Sequence, residues 1–515
     1  MTKFLPAEDA VRLIKDGDTL LVEGFCSCTC PYYLENNLET RFLREARPQK
    51  ITLIHCSAHG DGKDTLVNRL AHEGMIKRSV GGHWNLVPKM GKLAMENKIE
   101  AYNLPQGVLA HMMRDIAAGR KTITKVGLKS FVDPRLEGGK LNSATTEDLV
   151  ELINVDGEDL LHYKHPKIDV CFLRGTTADE KGNISFEDEG LRLGALACAQ
   201  ATKKSGGIVI VQVLKIAQAG TLKPTEVIIP HILVDVVVQA PSLAEHMWEY
   251  SQLYPAFAGQ IKVPLDSVPP LKFNERKIIC RRAAMMLDPG TVVNLGIGMA
   301  EGVSAVANEE GIGDWFTLTV EAGPVGGVPM GGVHFGVAVN PDAILDHNSQ
   351  FDFYDGGGLD IAFLGLAEVD QNGNLNVSKL AGRIPGCGGF INIAQNTPKV
   401  VFLGTFTAVG MKIKSGDGRL VIEQEGQQKK FLQKVAQITF SGEYARETGQ
   451  SVTYITERAV FELRQNGVHL VEVAPGIDVR KDILAQMDFV PRMDAPPALM
   501  DSRIFLDKPM GLSRG

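Results

Sequence analysis

The sequence has no apolar run long enough to cross a bilayer. The stretch from Val227 to Val238 is broken by Pro230, His231 and Asp235, and a span needs about 20 predominantly apolar residues. Cysteine is scarce, 8 in 515 residues, which excludes a disulfide scaffold and fits a reducing cytoplasm. Neither sign of charge dominates. The 54 Lys and Arg against 61 Asp and Glu leave a net charge of −7, so a nucleic-acid or anionic-membrane binder working through bulk charge is excluded. Interleaved basic and aromatic residues are lacking as well. The opening MTKFLPAEDA carries Glu8 and Asp9 and no apolar core, so no secretory leader is expected. What the chain does have is 44% hydrophobic residues, enough for large cores,. It also has 54 glycines, about one residue in ten against a usual ~7%.

Short aliphatic runs alternate with helical periodicity throughout. Thr19 to Val22, Ile51 to Ile54, Ile208 to Val213, Thr291 to Leu295, Trp315 to Val320 and Val400 to Leu403 read as buried strands,. Helices are predicted after Pro31, over Arg281 to Leu287 and over Gly302 to Glu309,. This alternation is the pattern of a covered, mostly parallel sheet. The segment DVCFLRGTTADEKGNISF (Asp169 to Phe186) is echoed by DIAFLGLAEVDQNGNLNV (Asp360 to Val377), and AQAT at Ala199 by AQNT at Ala394. The chain therefore reads as two related open α/β domains, 1–240 and 274–515, with an insertion near 84–163 in the first. Pro241, Pro255, Pro264, Pro269 and Pro270 mark 241–273 as the joint,. Two such domains can build a cleft for a small molecule.

The strongest chemical feature is Glu321, delivered by a predicted strand and followed by Gly323, Gly326, Gly327, Gly331 and Gly332. Ligands of open α/β sheets bind beyond the carboxyl ends of strands. A carboxylate there can serve as base or nucleophile, or it is a solvated residue whose glycines serve only the turn. Asn294, Leu295, Gly296, Ile297 and Gly298 form a second glycine turn between strand and helix. Its third glycine, Gly302, stands one place late for a dinucleotide fingerprint,, so an approach to phosphate or pantetheine is the better reading. The run GCGGF, Gly386 to Phe390, offers N–H groups for an oxyanion or makes a tight turn. Cys26, Cys28 and Cys30 continue a predicted strand, with His55, Cys56 and His59 further on. The C-x-C-x-C spacing is not that of a zinc site, so buried thiols and no metal are expected.

Several of these segments resemble the signatures of family I CoA-transferases. DGDTLLVEGFCSCTCP (Asp16 to Pro31) resembles the amino-terminal signature, with Glu23 and Thr29 where glycine is usual. LTVEAGPVG (Leu318 to Gly326) is similar to the second, keeping Glu321 and Gly323 while Val320 and Ala322 replace Ser and Asn. LPQGVLAHMMRDIAAG, NLGIG and GCGGF have counterparts in the same order, and YDGGGLD and GGFINI are nearest the propionate/acetate branch. The resemblance implies transfer of CoA between a short-chain acyl-CoA and a free carboxylate, through a thioester on Glu321. CoA and acyl-CoA would be substrates, with no permanently bound cofactor. It further implies Gln106 beside the acyl or carboxylate group and Asn294 to Gly298 along the CoA tail. Gly24, Gly388 and Gly389 would surround the oxyanion, and Arg383 and Lys379 would meet phosphate. A cytoplasmic homo-oligomer, a tetramer, follows from the same resemblance. Other specificities (3-oxoacid, hydroxyacid or hydrolase) and a non-catalytic acyl-carrier or regulatory subunit of the same fold remain alternatives.

Overall fold

The computed structural model describes residues 2–57, 59–247, 253–264 and 270–512. Packing divides the chain into two compact units. The first comprises Met1–Val263, Val320–Asp352 and Ala381–Asn392; the second comprises Pro264–Thr319, Phe353–Leu380 and Ile393–Gly515. Two segments from beyond residue 274 thus pack with the amino-terminal unit. Of the proline-rich stretch, residues 248–252 and 265–269, Pro269 among them, lie outside the described residues.

The first unit is built on eight strands: β1 (Lys3–Phe4), β2 (Thr19–Phe25), β3 (Ile51–Ser57), β4 (Ile76–Gly81), β5 (Glu100–Asn103), β6 (Val170–Arg174), β7 (Ile208–Val213) and β8 (Val236–Gln239). Their order is β1-β8-β7-β6-β2-β3-β4-β5, and every pairing is parallel. Parallel strands are covered on both faces, so they are aliphatic nearly throughout. Leu20, Leu21, Val22, Phe172, Ile210 and Val211 are fully buried for that reason. Helix α1 (Gln106–Ala118) follows β5 and ends on Gly119 in the left-handed region (φ 68°), while α2 (Ala195–Lys204) precedes β7. The 84–163 segment splits between roles. Its first part supplies β5 and α1, and its last forms a small antiparallel sheet of Thr122–Thr124, Val150–Val155 and Glu158–Tyr163.

In the second unit, β9 (Val292–Leu295), β10 (Thr317–Thr319), β11 (Ile361–Gly365), β12 (Lys399–Leu403) and β13 (Ser451–Ile455) pair in parallel in the order β10-β9-β11-β12-β13. Antiparallel strands Ala459–Arg464 and Gly467–Val473 extend the sheet. The internal echo is structural. After β6, Thr177–Asp179 pairs antiparallel with Ile184–Ser185; after β11, Glu368–Asp370 pairs antiparallel with Leu375–Asn376. Asp179 accepts the Asn183 N–H and side-chain amide at 2.9 Å each. Asp370 does the same to Asn374 at 3.1 Å. One turn has been used twice, and the units are two related α/β domains with mostly parallel sheets.

One buried ion pair stands out in the first unit. Arg174, at the end of β6, grips Glu189 with two hydrogen bonds of 2.8 and 2.6 Å, both side chains 2% exposed. Burial alone would raise the Glu189 carboxyl, but the Arg174 charge and a bond with His246 outweigh it and hold it down to about 2. Arg174→Met is expected to cost about 3–5 kcal/mol, because it strands a buried carboxylate. Denaturant unfolding checks this.

Candidate active site

Glu321 sits in a tight turn just after β10 in the chain. Val320 N–H donates to Pro324 O and Gly323 N–H to Val320 O, both at 2.9 Å. Gly323 (φ 131°) is required because a Cβ there would lie 2.3 Å from Leu345 O. Gly326 and Gly327 face Asp342 and Val339 at similarly short range. Gly323, Gly326 and Gly327 therefore serve the turn and its partner segment.

A different glycine meets the carboxylate. Gly389 presses so close that a Cβ on it would lie 2.1 Å from Glu321 Oε2. The loop that carries it is laced to the carboxyl ends of β4 and β5. Gly388 N–H donates to Gly82 O at 2.8 Å, Trp84 N–H to Pro385 O at 2.8 Å, and Cys387 N–H to Asn103 Oδ1 at 2.9 Å. Asn103 in turn donates to Gly81 O at 2.9 Å. From the start of α1, Gln106 donates its side-chain amide to Glu321 Oε1 at 3.4 Å, and its backbone N–H bonds Gly388 O at 2.9 Å. The same amide nitrogen lies 3.0 Å from His347 Nε2. Gln106 is 1% exposed and His347 fully buried. All of these residues belong to the first unit.

Burial governs the electrostatics here. Desolvation pushes the Glu321 carboxyl up to about 7, and the Gln106 hydrogen bond offsets it only in part. Burial holds His83, beside the glycine loop, down to about 4, and it raises the Cys387 thiol. Burial, and after it the nearby His111, brings His347 down to about 3. The site thus holds one acid poised near neutrality among groups that stay uncharged.

The structure brings Gln106, Gly388 and Gly389 to Glu321. Gly388 as a direct oxyanion donor does not fit its hydrogen bond, since its N–H already donates to Gly82 O. Gly388 (φ 52°) holds the loop's shape instead. Gly24 has a packing reason within β2: a Cβ there would meet Cys30 and His59 at 2.8 Å. Its carbonyl accepts the Ser57 hydroxyl at 2.8 Å. Asn294 to Gly298 belong to the second unit. There Asn294 donates to Thr319 O at 3.3 Å and Tyr354 Oη at 3.2 Å, Leu295 closes the strand, Gly296 N–H bonds Phe363 O at 2.8 Å, and Ile297 and Gly298 are exposed. Arg383 is exposed just ahead of the glycine loop in the first unit, and Lys379 is half-buried in the second. The Cys26 to Cys30 segment does not continue the strand; it turns, with Cys26 and Thr29 at φ 52° and 53°. All eight cysteines are buried. Among the described residues no three His, Cys, Asp or Glu are grouped to hold a metal ion. Nothing in the local sequence marks His347 or Asn103.

Residues 4–240 match the family described as Coenzyme A transferase. Over 520 residues the chain is 48% identical to caffeate CoA-transferase of Acetobacterium woodii, covering 99% of each. The chain belongs to the coenzyme A transferases. It is 45% identical over 518 residues to acetate CoA-transferase YdiF of Escherichia coli O157:H7, covering 98% of this chain and 96% of that one. The crystal structure of that organism's acyl-CoA transferase YdiF in a thioester complex with CoA superposes with a TM-score of 0.94 at 44% identity, covering 99% of this chain and 98% of that one. As a CoA-transferase the protein is an enzyme of acyl-CoA metabolism, moving coenzyme A between an acyl-CoA and a carboxylate. No described helix of this CoA-transferase is long and apolar enough to cross a membrane.

Gln106→Leu deletes the donor that holds the Glu321 carboxyl down. A carboxylate acts as a nucleophile only when ionised, so a nucleophilic role for Glu321 predicts that the acid limb of kcat/KM moves to higher pH in that variant. A pH–rate profile checks the direction.

Proposed function

We propose that the enzyme works by ping-pong transfer of CoA between short-chain acyl-CoA and free monocarboxylates, through a glutamyl-CoA thioester on Glu321. The Glu321 carboxylate attacks the thioester carbonyl, and the C–S bond breaks to give a mixed anhydride and CoA thiolate. The thiolate then attacks the Glu321 carbonyl, releasing the first acid as its carboxylate and leaving CoA on the protein. An incoming carboxylate runs the steps in reverse. Each step passes through a tetrahedral oxyanion, for which the Gly24 and Gly389 backbone N–H groups and the Gln106 amide are the proposed donors, with Gly388 holding the loop that carries Gly389. Arg383 binds the CoA portion, whose remote contacts supply binding energy for the reacting carbonyl.

The observation that carries this reading is the contact of one enclosed carboxylate with a glycine that leaves it room and an amide that donates to it. The thioester complex of the relative and the acetate specificity in the name of its counterpart support it. We further propose a cytoplasmic homo-oligomer, a tetramer, and duplicate halves bounded at 1–240 and 274–515 with the joint at 241–273.

Labelled acetate should exchange into acetyl-CoA with no second acceptor present, and double-reciprocal plots against acceptor should be parallel. Intersecting plots without exchange would contradict the ping-pong scheme. An acceptor panel of acetate, propionate, butyrate and an aryl-propenoic acid tests the short-chain assignment; exclusive use of the aryl acid would overturn it.

A further inference from the structure

We propose that His347 is a positioning residue for Glu321. Its Nε2 accepts one hydrogen of the Gln106 amide and thereby keeps the other aimed at the carboxylate. This rests on Glu321 being the nucleophile.

Gln106 Nε2 carries two hydrogens, and it lies 3.4 Å from Glu321 Oε1 and 3.0 Å from His347 Nε2. An amide nitrogen only donates, so both neighbours accept, and an imidazole Nε2 accepts only when neutral with its hydrogen on Nδ1. Turning the amide over would set its oxygen against two acceptors, a carboxylate oxygen and a ring nitrogen. With the opposite tautomer, Nε2–H would draw the amide oxygen inward and toward Glu321. His347 therefore decides which end of Gln106 the nucleophile sees. Its burial keeps the ring uncharged.

The residue is packed on several sides, while ring Nδ1, which carries the hydrogen in this arrangement, is buried with no hydrogen-bond partner among the described residues. Its backbone N–H donates to Leu193 O at 3.0 Å. Phe25 meets it edge-on at 6.2 Å between centroids, and Phe351 lies 5.1 Å away. His347 opens helix α3 (His347–Asp355) as Gln106 opens α1. Further along, Asp352 of α3 pairs with Arg114 and lies 3.2 Å from His111 Nε2, both on α1. The two helix starts are thus set against each other by a second tie. The tie matters because the atom facing Gln106 changes in the reaction from carboxylate oxygen to anhydride and then thioester carbonyl. Each form accepts a hydrogen bond, and each tetrahedral step adds charge, so a donor locked toward it serves every step.

His347→Phe keeps the ring stack and removes the acceptor. It is expected to lower kcat by about 10- to 100-fold, to leave KM for acyl-CoA within about twofold because no substrate contact is removed, and to move the acid limb upward. His347→Gln, whose side-chain oxygen reaches the place of Nε2, should recover most of the loss. In a Gln106→Met background His347→Phe should cost nothing more. A folded His347→Phe enzyme with wild-type kcat and acid limb, equal loss in the Phe and Gln variants, or losses that multiply in the double variant would each overturn the assignment. Should the Phe variant fail to fold, a neutron structure of the wild type decides: a hydrogen on His347 Nδ1 and the Gln106 nitrogen toward Glu321 support it, and a hydrogen on Nε2 or the amide oxygen toward Glu321 overturns it. Absence of acetate exchange in the wild type would instead sink the nucleophile reading.

Discussion

Glu321→Asp is expected to lower kcat by about a hundredfold, because one methylene fewer withdraws the proposed nucleophile by about 1 Å from the donors arranged for it. Glu321→Gln removes that proposed nucleophile, and a loss of roughly 10⁴-fold or more is expected, the scale seen when a covalent catalyst is deleted. The same variant should gain stability. Burial raises the folded-state carboxyl to about 7 from an ordinary 4.5, so above that pH folding forces a charge into a poorly solvated place. The penalty is fully present above about pH 7, fades as pH falls toward 4.5, and vanishes below that, where folded and unfolded chains are both protonated,. Replacing the acid with a neutral amide relieves about 2–3 kcal/mol at pH 8. Denaturant unfolding of both proteins at pH 8 and pH 5 checks this: the gain should be large at the first and small at the second. Equal stability at pH 8 would mean that the carboxyl is not desolvated as described.

Gly389→Ala is the second large effect. A Cβ at 2.1 Å from Glu321 Oε2 and 3.0 Å from Phe351 cannot be accommodated without displacing the carboxylate. A loss of about a hundredfold or more in kcat is expected, with secondary structure intact. Gly388→Ala is the control. Its Cβ would meet only ordinary contacts at 3.6–3.8 Å, and its strain is that of a left-handed φ of 52°, a cost of about 1 kcal/mol in stability. Neighbouring glycines should therefore separate: one substitution damages chemistry, the other stability. Steady-state kinetics with thermal unfolding of each variant reads the separation, and equal kcat in the two variants would contradict it.

How much of this was readable in advance depended on how local each determinant is. Strands covered on both faces must be aliphatic, so Ile208–Val213 stood out from composition alone and has the bounds observed. The duplicated turn was readable because the Asp and Asn that close it occupy matching places in both halves. Glu321 stands out in the sequence by its setting after a strand among glycines, although Gly323, Gly326 and Gly327 serve the turn, and Gly389, in another segment, meets the carboxylate. His347 was not readable: it meets Gln106 across 241 residues, and no short-range pattern encodes such a contact. The packing of 320–352 and 381–392 with the first unit was hidden for the same reason, since periodicity reports which face is buried but not against what. The Cys26 to Cys30 segment shows a further limit. Its left-handed residues are Cys and Thr, types that do not announce a turn as glycine does,.

Weighing the intact enzyme after incubation with acetyl-CoA and no acceptor acid shows whether Glu321 carries CoA. A CoA adduct is expected that maps to Glu321, is discharged by acetate and is absent from Glu321→Ala. A wild-type enzyme that turns over normally while never gaining that mass, or that carries the adduct on another residue, would contradict that role for Glu321.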